Sequence, residues 1–480
     1  MIRGVVLAFV LAGSLVAASC TPWDELASLD EIQKRVRPSG IKVLLVGIDG
    51  ATFSIVDPLL AEGKLPNTAR LIDEGTHGVL HSAIPMVSPA VWTSVVTGRK
   101  RSDHGIKDFL AEEQKKTETG SKAPRRLASS YDRRTAALWN ILTAFDLTSG
   151  VIGWWLTWPA EEINGYIVSD RTARTRWTEW WGNEAEQQIY PEALIEELRP
   201  LVVDPSNPPI EEFDALIPWT EAERADFLDV RRPIYKHGPS VFKFAHCSQR
   251  SYEEIALHQL SKQPQPELTA LFLVTVDPIS HTFWHYFEPD QFDGVDPEDA
   301  ARLGQLIPNY YQHNDDFLGR LLPQVDDETV VIIMSDHGFQ ASDELPESRT
   351  REEFSRLRAD STDVEQVAIG QSGEHHVEGI FIASGGPILP GTEVEVRIHD
   401  ITPTVLALMG LPVARDMPGR VLTEIVEEAF WRKHPIRYID SYERLIPREI
   451  LDPESLAPDE ELFEQLKALG YVDDVDDADE

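Results

Sequence analysis

Three short apolar runs dominate the hydrophobic pattern, and each closes on an aspartate: KVLLVGID at Asp49, LFLVTVD at Asp277 and VVIIMSD at Asp336. They are rich in Val, Ile and Leu and too short to cross a bilayer. Runs of this kind predict strands of a parallel sheet covered on both faces. In such sheets ligands bind beyond the carboxyl ends of the strands. Three carboxylates far apart in sequence should therefore meet at one rim. Two have a histidine close by, His337 directly after Asp336 and His281 four residues after Asp277. Singly, each has a plainer explanation. Asp49-Gly50 reads as a strand-to-turn corner, Asp336-His337-Gly338 as a turn, and His281 as a packed imidazole beside Phe283, Trp284 and His285. Jointly, aspartate and histidine converging on a sheet edge is metal-site chemistry.

Around these runs, residues 41–180 alternate strand-like and helix-like segments. Further strand candidates are GVIGWW, before Trp158-Pro159, and GYIVSD, ending at Asp170. Residues 181–265 change character, with Glu, Trp and Pro in helix-like stretches and a PSNPP break. They read as a helical cap inserted between two sheet strands. The core resumes over 266–430, and an acidic, mostly surface tail spans 431–480, with one amphipathic helix in ELFEQLKALGYV and a disordered DDVDDADE end. The predicted fold is a three-layer α/β/α sandwich around a mostly parallel sheet.

At the other end, Arg3 precedes VVLAFVLAGSLVAAS, and Ala17-Ala18-Ser19-Cys20 follows the pattern of a lipoprotein signal, with 1–19 removed. Cys20 then becomes the acylated first residue and 20–40 a polar tether. An ordinary signal peptide cut near Ala18 is the alternative. The expectation is an exported bacterial lipoprotein facing the periplasm, on the outer membrane, because Thr21 is no aspartate-type retention signal.

Charge narrows the partners. Lys and Arg number 44 against 81 Asp and Glu, a net charge of −37, which excludes nucleic acid as a partner. An anionic substrate needs local positive charge, which bound metal ions supply. The two cysteines, Cys20 and Cys247, allow no disulfide framework and no cysteine zinc site, and Cys247 reads as a structural thiol in the insert.

Between the first strand and the cap, Ser88-Pro89 opens AVWTSVVTG. It reads as a helix start with Ser88 as N-cap, Pro89 at the first helical position and Gly98 closing it. A helix N-terminus suits a phosphate and favours a serine alkoxide beside a metal. The plainer reading is that Ser88 only caps the helix. Here the sequence resembles the alkaline phosphatase superfamily, in its type I phosphodiesterase and nucleotide pyrophosphatase branch, over most of 41–425. The matching motifs are Ser88 before Trp92-Thr93-Ser94-Val95-Val96-Thr97-Gly98, then His104-Gly105-Ile106, the strand end at Asp49, Asp277-x-x-x-His281, Ser335-Asp336-His337-Gly338, and His375 before GIFIASG. His376 is adjacent, but the spacing to Gly379 selects His375.

The resemblance implies two divalent metal ions, usually zinc, with manganese possible. One would be held by Asp277, His281 and His375, the other by Asp49, Asp336, His337 and the Ser88 oxygen. It implies a small phosphate-ester substrate, a phosphodiester or nucleotide pyrophosphate, and a phosphoseryl intermediate on Ser88. The same site would also serve a phosphoryl or phosphoethanolamine transferase or a phosphonate hydrolase, and a non-catalytic binding lipoprotein is the remaining alternative. Neither the asparagine that holds a phosphoryl oxygen in the pyrophosphatases nor the arginine of the phosphomonoesterases has a position assigned here. Arg99, Lys100 and Arg101 read as cations complementing a helix end, and His104 and Asp108 as structural. Neither cysteine lies in a sulfatase motif. Selectivity is expected in the cap, where Trp177, Trp180 and Trp181 read equally well as packing.

Overall fold

The computed structural model describes residues 23, 28–111, 126–173, 187–229, 238–342 and 372–446. The apolar leader with Cys20, Trp177, Trp180 and Trp181, the 461–472 stretch and the acidic end lie outside the described residues. In chain order the strands are β1 (Val43–Ile48), β2 (Thr76–His81), β3 (Ser149–Ile152), β4 (Gly165–Val168), β5 (Ile189–Tyr190), β6 (Leu268–Leu273), β7 (Val330–Met334), β8 (Gly338–Ala341), β9 (Gly373–His376), β10 (Glu378–Ser384), β11 (Thr392–Glu393), β12 (Val396–Arg397), β13 (Val413–Ala414) and β14 (Tyr438–Ile439). The main sheet runs β11-β2-β10-β7-β1-β6-β3-β4-β5, with β12 also on β2. From β7 to β4 it is parallel, and β10 and β5 are antiparallel to their inner neighbours.

The three acid-ended runs are therefore neighbours. β1 lies between β6 and β7, with Ile48 opposite Leu273 and Gly47 opposite Met334, so all three strands stop at one rim. Every residue of β1, β6 and β7 is buried, which is why these runs show no polar alternation. Successive side chains of β1 point to opposite faces. Val43 and Leu45 join Trp92, Leu138, Trp154 and Val405 in one apolar layer. Leu44, Val46 and Ile48 join Phe242, Ile255, Ile279 and Tyr310 in the other. Two helical layers on one sheet make the three-layer sandwich.

Several boundaries differ from the expectations. The second run does not stay extended to its aspartate: β6 ends at Leu273, and Asp277 lies in the first turn of the helix Val276–Phe287. The supposed tether carries a helix, Leu29–Arg35, because Ile32 finds a fully buried place under the first apolar layer. The supposed surface tail begins with core: Ile439 and Tyr442 are 2% and 1% exposed, and β14 pairs with β13. Within the insert, the long helix Gly238–Leu260 is part of the sandwich, since Phe242, Cys247 and Ile255 pack with Leu271 and Leu273 of β6. Burial raises the Cys247 thiol and keeps it unionised. Among the described residues, no helix is long and apolar enough to cross a membrane.

Candidate active site

Each functional side chain reaches the rim by a short local route. Asp49 is the residue after β1, and Gly50 then turns the chain at φ 75°, in the left-handed region that glycine tolerates. Asp336 and His337 stand two and three residues past β7. Asp277 and His281 share one helix face, one turn apart. His375 comes from β9, which pairs with β8 as a separate two-stranded ribbon. Asp49, Asp277, Asp336, His281 and His337 are buried, and His375 is partly open.

The geometry brings these six together. Asp277 Oδ2 lies 3.2 Å from His375 Nε2, 3.4 Å from His281 Nε2 and 3.8 Å from His337 Nε2. His337 Nε2 is 3.6 Å from Asp49 Oδ1 and 3.5 Å from Asp336 Oδ2. Candidate ligand atoms thus group as Asp277, His281 and His375, and as Asp49, Asp277 and His337. Asp277 is the residue the two groups share.

All three imidazoles are held by the same device. Each Nδ1–H donates to a backbone carbonyl: His281 to Gly373 at 2.8 Å, His375 to Met86 at 3.0 Å, His337 to Gly338 at 3.1 Å. With Nδ1 so engaged, each Nε2 points inward at the carboxylates, where a cation can take the place of a proton, the arrangement that metal-ligating histidines use. His281 Nε2 and His375 Nε2 are 2.9 Å apart. Two lone pairs at that distance repel unless positive charge stands between them. Buried Asp336 Oδ2 and His337 Nε2 have no hydrogen-bond partner. Buried polar atoms are otherwise nearly always paired, so the donor set fits divalent cations in number, type and orientation.

The electrostatics agree. Burial raises Asp49 to about 7, and the charge of Asp277 adds to the effect. Burial and then Asp49 push Asp336 well above the ordinary carboxylate range. Burial also opposes charge on Asp277, but His281 and His375 outweigh it and hold this carboxyl below its ordinary value. Burial drives His337 well below the usual histidine range. Asp49 and Asp336, buried carboxyls that resist ionisation, mark a place short of positive charge.

Ser88 does not occupy the capping position expected of it. The helix begins at Ser88 itself, Val87 occupies the capping position, and no side chain caps it. The backbone N–H groups of Ala90 and Val91 bond to the Val87 carbonyl, which leaves the serine oxygen without that task. Every other hydroxyl on the helix is bonded to the carbonyl four residues back, Thr93 to Pro89, Ser94 to Ala90 and Thr97 to Thr93. Ser88 Oγ is buried and has no partner. The helix is fixed to the centre on both sides of this residue. The Met86 carbonyl accepts from His375, and Trp92 Nε1 donates to Asp49 Oδ1 at 3.4 Å. Trp92 is fully buried, and Gly47 makes room for it: a Cβ there would come within 2.7 Å of the indole ring. Gly98, at φ 63°, closes the helix.

The neighbouring residues are structural. His104 Nδ1 accepts from the Ile106 N–H and Nε2 bonds to Ser94 Oγ at 2.9 Å, while burial lowers it to about 3. Asp108 accepts from the Phe109 N–H. Arg99 is bound to Asp416, Glu443 and Asp103, and Arg101 donates to the Pro85 carbonyl at 2.6 Å. Sequence reasoning gave no role to Ser335, whose Oγ accepts from the Ala51 N–H and donates to the His337 carbonyl, tying the β1 and β7 turns together. Its place before Asp336 was the only signal.

A sheet rim that gathers carboxylates and inward-facing imidazoles beside a helix-borne serine defines an α/β protein with a polar, cation-accepting centre. Residues 43–408 match the family model described as type I phosphodiesterase / nucleotide pyrophosphatase. The chain belongs to that family and is a phosphoesterase-type hydrolase. The family implies the use of divalent metal ions. No curated protein matches the chain in sequence. Similar solved structures include human ectonucleotide pyrophosphatase/phosphodiesterase 5, at 13% identity, TM-score 0.44, and 81% of this chain against 100% of that one. Alkaline phosphatase PafA gives 12% identity, TM-score 0.48, and 82% against 99%. Phosphonoacetate hydrolase from Sinorhizobium meliloti 1021, in complex with phosphonoformate, gives 12% identity, TM-score 0.40, and 76% against 97%.

Proposed function

We propose that the protein hydrolyses phosphodiesters or nucleotide pyrophosphates with Ser88 as nucleophile, at a centre of two divalent ions, zinc or manganese. Asp277, His281 and His375 would hold one ion, and Asp49, Asp336, His337 and the Ser88 oxygen the other. Bound there, such ions supply positive charge that favours a serine alkoxide and neutralises phosphoryl oxygens. The observation that carries the reading is the Ser88 hydroxyl, buried, unpartnered and fixed between the contacts of Met86 and Trp92.

The chain's own residues set the course of the reaction. Ser88 Oγ loses its proton and attacks phosphorus from the first turn of its helix, where the dipole favours negative charge. The P–O bond to the leaving group breaks as the Ser88–phosphorus bond forms, and the departing alkoxide takes up from solvent a proton equivalent to the one Ser88 released to it. Water then attacks phosphorus in the phosphoseryl intermediate, and Ser88 departs and regains its proton. The histidines keep their Nδ1 protons on backbone carbonyls throughout, so they orient rather than exchange protons. A monoanionic diester suits this site better than a dianionic monoester. The arginines that follow the nucleophile helix, Arg99 and Arg101, are already bound to Asp416 and to the Pro85 carbonyl.

Chromogenic mono- and diesters, nucleotides and phosphonates, assayed with zinc or manganese, test this. Wild type should turn over at least one diester, and Ser88→Ala should lose nearly all activity while retaining its fold and metal. Undiminished turnover in Ser88→Ala would assign the attack to water instead. We further propose that Cys20 carries a lipid anchor after export, supported by the apolar leader and the small residues before it. Fatty-acid labelling should disappear in Cys20→Ser, and labelling that persists refutes the anchor.

A further inference from the structure

We propose that Phe339 is the positioning residue of the centre, aiming the Nε2 atoms of His281, His337 and His375. The inference rests on the metal-binding reading given above. Phe339 is buried on β8, two residues after His337 and directly opposite His375 across the β8–β9 ribbon. Its ring meets all three imidazoles edge to face: His281 at 4.8 Å and 77°, His375 at 5.3 Å and 83°, His337 at 5.6 Å and 60°. Behind it, Trp284 stacks at 5.8 Å and 25°, one helical turn after His281. The turn after Asp49 also closes on this ring, because a Cβ on Gly50 would lie 2.4 Å from Phe339 Cε2. One side chain thus touches all four elements that carry Asp49, Asp277, His281, Asp336, His337 and His375.

The physical need for it follows from the histidine hydrogen bonds. A single Nδ1–H bond fixes one edge of an imidazole but leaves its plane free to tilt. An aromatic face at edge-to-face distance fixes the plane. Phe339 has no polar atom, so it neither competes for a cation nor admits water behind the rings. Wrong tilt in any ring misdirects its lone pair, and partners that orient ligands typically set metal affinity by 10- to 100-fold.

The test compares the full chain with Phe339→Leu, which keeps apolar bulk without a ring, and Phe339→Tyr, which keeps the ring. Zinc affinity is measured by chelator competition, and ligand geometry by the visible spectrum of the cobalt-loaded protein. Phe339→Leu should bind zinc at least about 10-fold more weakly and change the cobalt spectrum, whereas Phe339→Tyr should stay within about threefold of wild type. If Phe339→Leu does not fold, Phe339→Met takes its place with the same criterion. A folded ring-less variant that binds within twofold of wild type overturns the proposal, as does equal loss in the tyrosine variant. Wild type that binds no zinc removes the metal centre and this inference with it. Wild type that binds, with Phe339→Leu equal to it, removes only the inference.

Discussion

Two groups of buried polar side chains lie close together in this molecule, and they are completed in opposite ways. One is the centre at the rim. The other is a network on the Gly238–Leu260 helix, reached from the centre through Thr275, two residues before Asp277, whose N–H donates to Gln249 Oε1. In the network each group has a partner. His246 bonds Tyr310 at 3.0 Å and Glu212 at 3.2 Å. Glu253 accepts from Gln249, Arg250 and His313 at 2.8–3.0 Å. Gln249 also donates to Asn314 at 2.8 Å. At the rim, Ser88 Oγ, Asp336 Oδ2 and His337 Nε2 have no partner. Histidine, carboxylate and hydroxyl are common to both, and burial alone does not separate them. Completion does: a satisfied buried network fixes one packing, whereas buried groups left open are kept so for a ligand or a reaction.

The comparison breaks most easily at Asp336. Asp336→Asn is nearly isosteric and removes a carboxylate that burial and Asp49 already push toward neutrality. In the metal-loaded protein, activity should fall by about 10³, the equivalent of several kcal/mol of lost charge stabilisation. In the metal-free protein the unfolding free energy should hold or rise. Denaturation of both forms with and without chelator measures this, and a marked loss of metal-free stability would make Asp336 a structural residue like those of the network.

Glu253→Gln should do the reverse. The side chain is fully buried against Arg250 and His313, and breaking a buried pair costs about 3 kcal/mol. Urea denaturation should show that loss while turnover per folded molecule changes less than about twofold. A collapse in turnover with stability intact would put the network in the catalytic machinery.

His246 of the network and Asp49 of the rim respond to pH with opposite sign in the metal-free protein. Burial lowers His246 to about 4 from its ordinary 6.5. The unfolded chain therefore takes up a proton below about pH 6.5 that the native state refuses, and stability falls as pH drops from there toward 4. Burial works against charge on Glu253, but His313 and Arg250 outweigh it and hold it at about 2, so its loss follows between about 4.5 and 2. Asp49, raised to about 7, holds a native proton that the unfolded chain has released, so its contribution falls as pH rises toward 7. Melting of chelated protein across pH 4–8 should show the acid-side loss shrink by about 2 kcal/mol in His246→Gln and the alkaline-side loss shrink in Asp49→Asn. Unchanged profiles in both variants would sink the assignment.

How far this contrast was legible in sequence differs between the regions. The rim was legible because parallel strands buried on both faces leave a continuous apolar run, and each run ended near an acid. That placed Asp49, Asp277 and Asp336 at one rim of the sheet, beyond the ends of adjacent strands, before any geometry was known. The strand end at Leu273 was not legible, because VTVD is as strand-like as the residues before it and only loss of pairing to β1 stops it. The Ser88 capping role was a local inference, and the tertiary contacts of Met86 and Trp92 decided otherwise. Ile32 and Tyr442 were hidden because burial of a lone apolar residue depends on what folds over it. The network was invisible for the same reason: Glu212, Gln249, Asn314 and His313 share no spacing, and only the packing of three helices brings them together.

The smallest effect compares one deleted oxygen in each region. Tyr310→Phe removes the hydroxyl that bonds His246 Nδ1 and leaves that buried nitrogen unpaired. It should cost about 1 kcal/mol. Ser88→Ala removes a hydroxyl that is just as buried but bonds nothing. In metal-free protein it should leave stability unchanged or raise it by up to about 1 kcal/mol. Parallel urea titrations of the two variants, in chelator, decide the matter by sign rather than by size. A loss in Ser88→Ala equal to that in Tyr310→Phe would mean that the serine oxygen has a partner in the folded protein, and the distinction between an open centre and a closed network would fail at its nucleophile.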